Sequence, residues 1–257
     1  MADLKALSMS ADRILQLPDA AQRTLDAYKH ITVDNVTAPC TYHINAGLSS
    51  TTRALVGKGA PQEIERIARK WFEKYDMHAN GDPETLRSLL SACGIGVDCS
   101  GFVSWILNDI TQATLGRPVW KCLQFPGLRR RAISKIRPVE NISANLLTGS
   151  LNSRSVEDLS QIKPGDLIRA AGWHHVLIIT EVGLNRNGKA TYFQYAQSSC
   201  LYGQASGIRQ GYAVIRKPKS SLVEQLWFDN YDKDVIKELI ADGSDSRVVR
   251  LKALSAT

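Results

Sequence analysis

Cys99 is the residue of this chain best suited to covalent chemistry. It follows Gly96-Val97-Asp98 and precedes Ser100-Gly101-Phe102-Val103. Glycine and aspartate ahead of it are turn chemistry, whereas Phe102, Val103, Ile106 and Ile110 recur at helical spacing behind it. The thiol is therefore expected at or just before a helix N-terminus. Free N–H groups and the positive end of the helix dipole favour thiolate over thiol there, and a thiolate attacks carbonyl carbon. The competing reading is a compact buried cysteine opening an ordinary core helix. A second stretch supplies a base. Lys163-Pro164-Gly165-Asp166-Leu167-Ile168 reads as a turn and a strand start, and Trp173-His174-His175-Val176-Leu177 as a strand with histidine at its entrance. Such a pair suits nucleophilic catalysis, with the imidazole taking the thiol proton and returning it to a leaving amine.

Taken in order, Asp98-Cys99-Ser100-Gly101-Phe102-Val103, Pro164-Gly165-Asp166-Leu167-Ile168 and His175-Val176 resemble the NlpC/P60 cysteine peptidases. The resemblance spans residues 61 to 216. It implies an α+β, papain-like fold in which an antiparallel sheet packs on the nucleophile helix. It also implies hydrolysis of peptidoglycan stem peptides, at a γ-D-glutamyl-diaminopimelate or lysine bond, through an acyl-enzyme. No cofactor or metal is implied. Asp98 and Ser100 would bind the substrate's free amine or carboxylate. The family's third catalytic position is a polar residue on the strand after the histidine. Gln197 is assigned to it, because an amide oxygen fixes a histidine tautomer without titrating. Tyr195 is the alternative there, and a candidate substrate contact. The chain departs from the family upstream of the cysteine. A tyrosine whose hydroxyl helps the oxyanion is usual, and Thr85-Leu86-Arg87-Ser88-Leu89-Leu90 stands in its place. Tyr75 is the candidate substitute. Two other readings remain open: an amidase or acyltransferase acting on a non-wall substrate, and an inactive binding module of the same fold.

The elements that must position these residues follow from periodicity. Leu17-Pro18-Asp19 opens a helix with Ala21, Leu25 and Tyr28 on one face, and residues 33–58 are irregular. Pro61 starts the strongest helix, with Ile64, Ile67, Ala68, Trp71, Phe72 and Tyr75 on one stripe. A shorter helix runs from Glu84 to Ala92. Asn187-Gly188 between β-rich runs marks a hairpin. With an odd loop Leu177 lies opposite Gln197, so Tyr195 and Gln197 share the face of His175; an even loop presents Gln194 and Ser198. His174 points to the opposite face. Residues 1–60 are expected to be an extension or cap, and 61–220 the catalytic domain. An insertion at about 115–160 is expected to wall the cleft or to form a surface loop. Residues 221–257 are expected to be a helical extension, frayed after Gly243.

Composition sets the outer limits. At 257 residues, 44% hydrophobic and 22% charged, the chain suits one sizeable globular domain with extensions. No run reaches the ~18 apolar residues of a membrane span. The first residues carry no secretory signal, so the expected location is cytoplasmic, or the wall after delivery by a non-Sec route. Five cysteines without Cys-x-x-Cys spacing argue against a disulfide framework or zinc site, and His43 and His78 stand near no ligand pattern. The net charge of +7 is concentrated around residues 128–137. This strip is read as a solvated face; no nucleic-acid motif accompanies it, and the expected partner is a wall peptide bound by a monomer.

Overall fold

The structure, a computed structural model, describes residues 11–44, 50–170, 174–229, 231, 233–241 and 245–255. The N-terminal region is part of the main core. Strand β1 (Arg13–Gln16) pairs with the histidine-bearing strand, and helix α1 (Asp19–Lys29) buries Ala21, Leu25 and Tyr28. Tyr28 packs edge-on against Phe102 at 5.3 Å, a contact worth about 1 kcal/mol beyond its burial. Its hydroxyl donates to the Gly59 carbonyl at 2.7 Å. Strands β2 (Ile31–Val33) and β3 (Val36–Ala38) form a hairpin that runs into the stretch expected to be irregular. Asp34 and Asn35 both take positive φ, the conformation that a two-residue turn of matching twist requires.

Helix α2 (Pro61–Tyr75) buries Ile64, Ile67, Ala68 and Phe72, while Tyr75 at its end is 54% exposed. Helix α3 (Pro83–Ala92) starts at Asp82, whose carboxylate accepts from the Glu84 and Thr85 N–H groups. Helix α4 (Cys99–Leu115) is the central helix and buries Phe102, Val103, Ile106, Leu107 and Ile110. The insertion folds into α5 (Val119–Cys122), α6 (Leu128–Ile136), α7 (Ala144–Thr148) and β4 (Ser153–Ser155).

The remaining strands are β5 (Leu167–Ala170), β6 (His175–Leu184), β7 (Ala190–Ser199), β8 (Gly207–Val214), β9 (Leu226–Asp229) and β10 (Arg247–Leu251), with α8 (Lys233–Ala241) before the last. They form one antiparallel sheet in the order β4-β10-β5-β6-β7-β8-β9, with β1 also on β6. The protein is thus α+β, with α4 against one sheet face. The β6–β7 register sets Ile178 opposite Ala196 and Ile179 opposite Tyr195, the odd-loop alternative, before a bulge shifts it.

The C-terminal region differs from expectation. Of the helical segments expected between Leu222 and Ile240, the second is present as α8, whereas the first is only a short helical turn at Leu222–Glu224 that leads into β9. The described tail, residues 245–255, is ordered where fraying was expected: β10 lies between β4 and β5. Arg250 grips Asp166 with two N–H···O bonds of 2.6 and 2.7 Å, a bidentate geometry that fixes register. Burial raises the Asp166 carboxyl above its ordinary value, opposed by the Arg250 hydrogen bonds and charge. The Pro-Gly-Asp turn therefore locks the sheet around β6: Gly165 N–H donates to Ile179 O, and Ile179 N–H to Asp166 O, both at 2.8 Å.

Candidate active site

Helix α4 begins at Cys99 because Asp98 caps it, accepting from Gly101 N–H at 2.6 Å. Gly101 is needed as glycine, since a Cβ there would stand 2.3 Å from the Gly57 carbonyl oxygen. That close approach brings Lys58 against the cap. Its Nζ donates to Asp98 Oδ1 at 2.9 Å, to Ser100 Oγ at 2.5 Å and to Ile142 O at 2.9 Å, and lies 2.8 Å from Asp98 Oδ2. Ser100 Oγ donates in turn to Asp98 Oδ1 at 3.0 Å. All three residues are buried. Asp98 and Ser100, expected to receive a substrate's amine or carboxylate, are thus already bound to a lysine of the same chain.

The backbone N–H groups of Ser100 and Val176 lie near enough to the Cys99 sulfur to favour its charged form. The second donor is the residue next to His175, so the start of β6 lies directly against the start of α4. His175 is 8% exposed and its Nε2 meets Gln197 Oε1 at 2.7 Å, with Gln197 fully buried. Burial pushes the Cys99 thiol up to about 12, helped by the Asp98 charge and opposed by Lys58 and the two N–H groups. Burial also brings His175 down to about 4, against the Gln197 bond and the Asp98 charge. Both shifts favour the neutral form, a thiol at Cys99 and an uncharged imidazole at His175. Burial thus works against the thiolate that a helix N-terminus favours.

Three further expectations are corrected. Tyr195 does not reach the site: its ring packs on Trp227 at 5.5 Å and its hydroxyl donates to Phe228 O at 3.2 Å and toward Asp229. Tyr75 cannot stand in for an oxyanion donor, since it sits on the outer face against Trp71 and Lys74. The nearby phenol is Tyr42. Its segment is stitched in on both sides, by Thr41 Oγ1 to Ile95 O at 2.8 Å, Val97 N–H to Thr41 O at 3.1 Å and Ile208 N–H to Cys40 O at 3.1 Å. Burial raises its phenol above the ordinary range, reinforced by charge at Cys99, Cys200 and Asp98. His174, expected by strand alternation on the face away from the site, precedes the strand in a left-handed turn (φ 48°) and is exposed at the rim of the cavity that Cys99 lines, with Nδ1 3.3 Å from Asn145 Nδ2. Its neighbour Trp173 lies outside the described residues.

Beside the thiol is a cavity of about 240 Å³ lined by Ile44, Val56, Glu140, Ile142, Ala144 and His174, among others. The insertion supplies Glu140, Ile142 and Ala144, so it walls the cleft. A hollow of about 570 Å³ around Trp120, Phe125 and Lys135 shares no lining residue with this one. Among the described residues no group of three or more His, Cys, Asp or Glu side chains gathers as metal ligands do. No helix among them is long and apolar enough to cross a membrane. No family model, curated protein or solved structure matches this chain.

Sequence reasoning missed Lys58 and Tyr42. The signal for Lys58 was its position between Gly57 and Gly59, glycines that admit close backbone approach, but nothing local says which carboxylate it meets. Tyr42 lies in an irregular stretch whose partners are remote in sequence, so periodicity is silent about it.

Proposed function

We propose that this protein is a papain-like cysteine peptidase of the NlpC/P60 kind, acting on an amide bond of peptidoglycan stem peptides such as γ-D-glutamyl-diaminopimelate. The observation that carries the reading is the arrangement at the α4–β6 junction: the Val176 N–H lies beside the Cys99 sulfur, and the adjacent His175 has its Nε2 held at 2.7 Å by Gln197. An imidazole whose Nε2 donates to an amide oxygen keeps its other nitrogen as a base. In the mechanism His175 takes the thiol proton as sulfur attacks the carbonyl carbon. The Tyr42 hydroxyl and the α4 N-terminus face the developing oxyanion. The imidazolium then protonates the departing amine as the C–N bond breaks, and water, deprotonated by His175, hydrolyses the thioester. Because thiol and imidazole start neutral, proton transfer accompanies attack. Lys58 already satisfies the Asp98 carboxylate and Arg137 pairs with Glu140 at 3.4 Å, so both carboxylates of the cleft lining are engaged within the chain and the substrate amine is met elsewhere.

The test is turnover of purified muropeptides, with products read by mass spectrometry. Wild type is expected to release the peptide beyond the D-glutamyl residue, and Cys99→Ala and His175→Ala to release none. Unchanged turnover in either variant removes the mechanism. Cleavage of simple amides with muropeptides left intact moves the substrate outside the wall.

A further inference from the structure

Gln197 is not the end of the chain of hydrogen bonds that begins at His175. Its Nε2 donates to the Tyr202 hydroxyl oxygen at 3.2 Å, and that hydroxyl donates to Asp229 Oδ2 at 2.9 Å. Asp229 lies at the end of β9, on the far side of β8 from β7. Its other oxygen accepts from the Tyr231 N–H at 2.8 Å, and Tyr195 also aims its hydroxyl at Oδ2, at 3.3 Å. The Arg209 guanidinium lies over the Tyr202 and Tyr231 rings, at 5.5 and 4.8 Å from their centroids.

The direction of this chain is forced by donor and acceptor arithmetic. A carboxylate oxygen only accepts, so the single Tyr202 proton points at Asp229. The Tyr202 oxygen is then left to accept, which turns the NH2 end of Gln197 toward it. The carbonyl end of the amide must therefore face His175. A carbonyl oxygen only accepts, so His175 carries its proton on Nε2 and Nδ1 is left bare. Without the phenol, either end of the amide satisfies the ring. A flipped amide would donate to Nε2, move the ring proton to Nδ1 and remove the base.

We propose that Tyr202 and Asp229 are positioning residues that set the His175 tautomer through Gln197. This rests on the reading of Cys99 and His175 as a nucleophile and base. Tyr195, expected to act on substrate, belongs instead to this support, as a second hydroxyl on the same carboxylate.

The experiment has two readouts on the full chain. The first is the nitrogen-15 NMR spectrum of the His175 ring, which reports the tautomer directly. Wild type is expected to show the Nε2–H form, and Tyr202→Phe a shift toward Nδ1–H. Asp229→Asn, whose amide oxygen still accepts from Tyr202, is expected to retain the wild-type form, whereas Asp229→Ala is expected to lose it. The second readout is the alkylation rate of Cys99 by iodoacetamide at neutral pH. It should fall at least about tenfold in Tyr202→Phe and recover in Asp229→Asn. A wild-type ring in the Nδ1–H form overturns the proposal before any variant is made. So does a folded Tyr202→Phe protein with the wild-type tautomer and rate. If His175→Ala leaves alkylation unchanged, the nucleophile–base reading has failed, and the wild-type tautomer still decides whether the relay exists.

Discussion

The two flanks of Cys99 are built from opposite materials. On the helix flank a full ion pair, Lys58–Asp98, is sealed in with Ser100, and every Nζ proton has a partner. On the sheet flank His175, Gln197 and Tyr202 are uncharged links, and a carboxylate, Asp229, stands at the far end. Charges beside the sulfur act on it through space whatever their exact aim. A neutral chain transmits orientation alone, because each link must point its proton one way. A buried ion pair adds little net stability yet is costly to break, since the orphaned charge stays buried. The helix flank should therefore govern stability and the sheet flank turnover.

The largest effect tests the helix flank. Lys58→Met leaves Asp98 buried and unpaired, and should cost about 3–5 kcal/mol in denaturant unfolding. Lys58→Met with Asp98→Asn should recover most of that loss. A single variant as stable as wild type breaks the contrast.

Next comes the buried imidazole. His175 titrates near 4 when folded against an ordinary 6.5. The unfolded chain therefore binds the proton first as pH falls. Stability is intact above about 6.5, and about 3 kcal/mol of it is lost on descending to about 4. His175→Gln lacks this ring, so its unfolding midpoint should fall less than that of wild type over the same window. Parallel pH profiles would show that the ring is not held neutral.

The smallest effect separates two tyrosines. Tyr42→Phe should lower kcat on the cleaved substrate by about 10²-fold with KM little moved, as loss of one oxyanion donor does. Tyr75→Phe, on the outer face, should leave kcat unchanged and stability within about 0.5 kcal/mol. Equal effects from the two would remove Tyr42 from the site.

Local regularity made much of the fold legible. The stripe from Ile64 to Phe72 and the turn-then-helix at Asp98-Cys99 are signals contained within a few turns of chain. The hairpin was legible except for its loop parity, and that parity decided that Gln197 rather than Gln194 faces His175. The C-terminal strand was not legible. Arg247–Leu251 is five residues whose partners are Ser153, Arg154 and Ser155 on one side and Leu167, Ile168 and Arg169 on the other, and no local pattern names a partner so far away. Tyr42 and Lys58 were invisible for the same reason.

By itself the sequence determined the chemistry on offer: a cysteine at a capped helix start, a histidine opening a strand and an amide two strand positions past Tyr195. These are local facts, fixed by residue type and period. The tertiary structure alone decided the protonation and the company of those groups. Burial, which is a property of the packed molecule, holds thiol and imidazole neutral, and chain folding brings Lys58, Tyr42, Tyr202 and Asp229 to them from four separate segments.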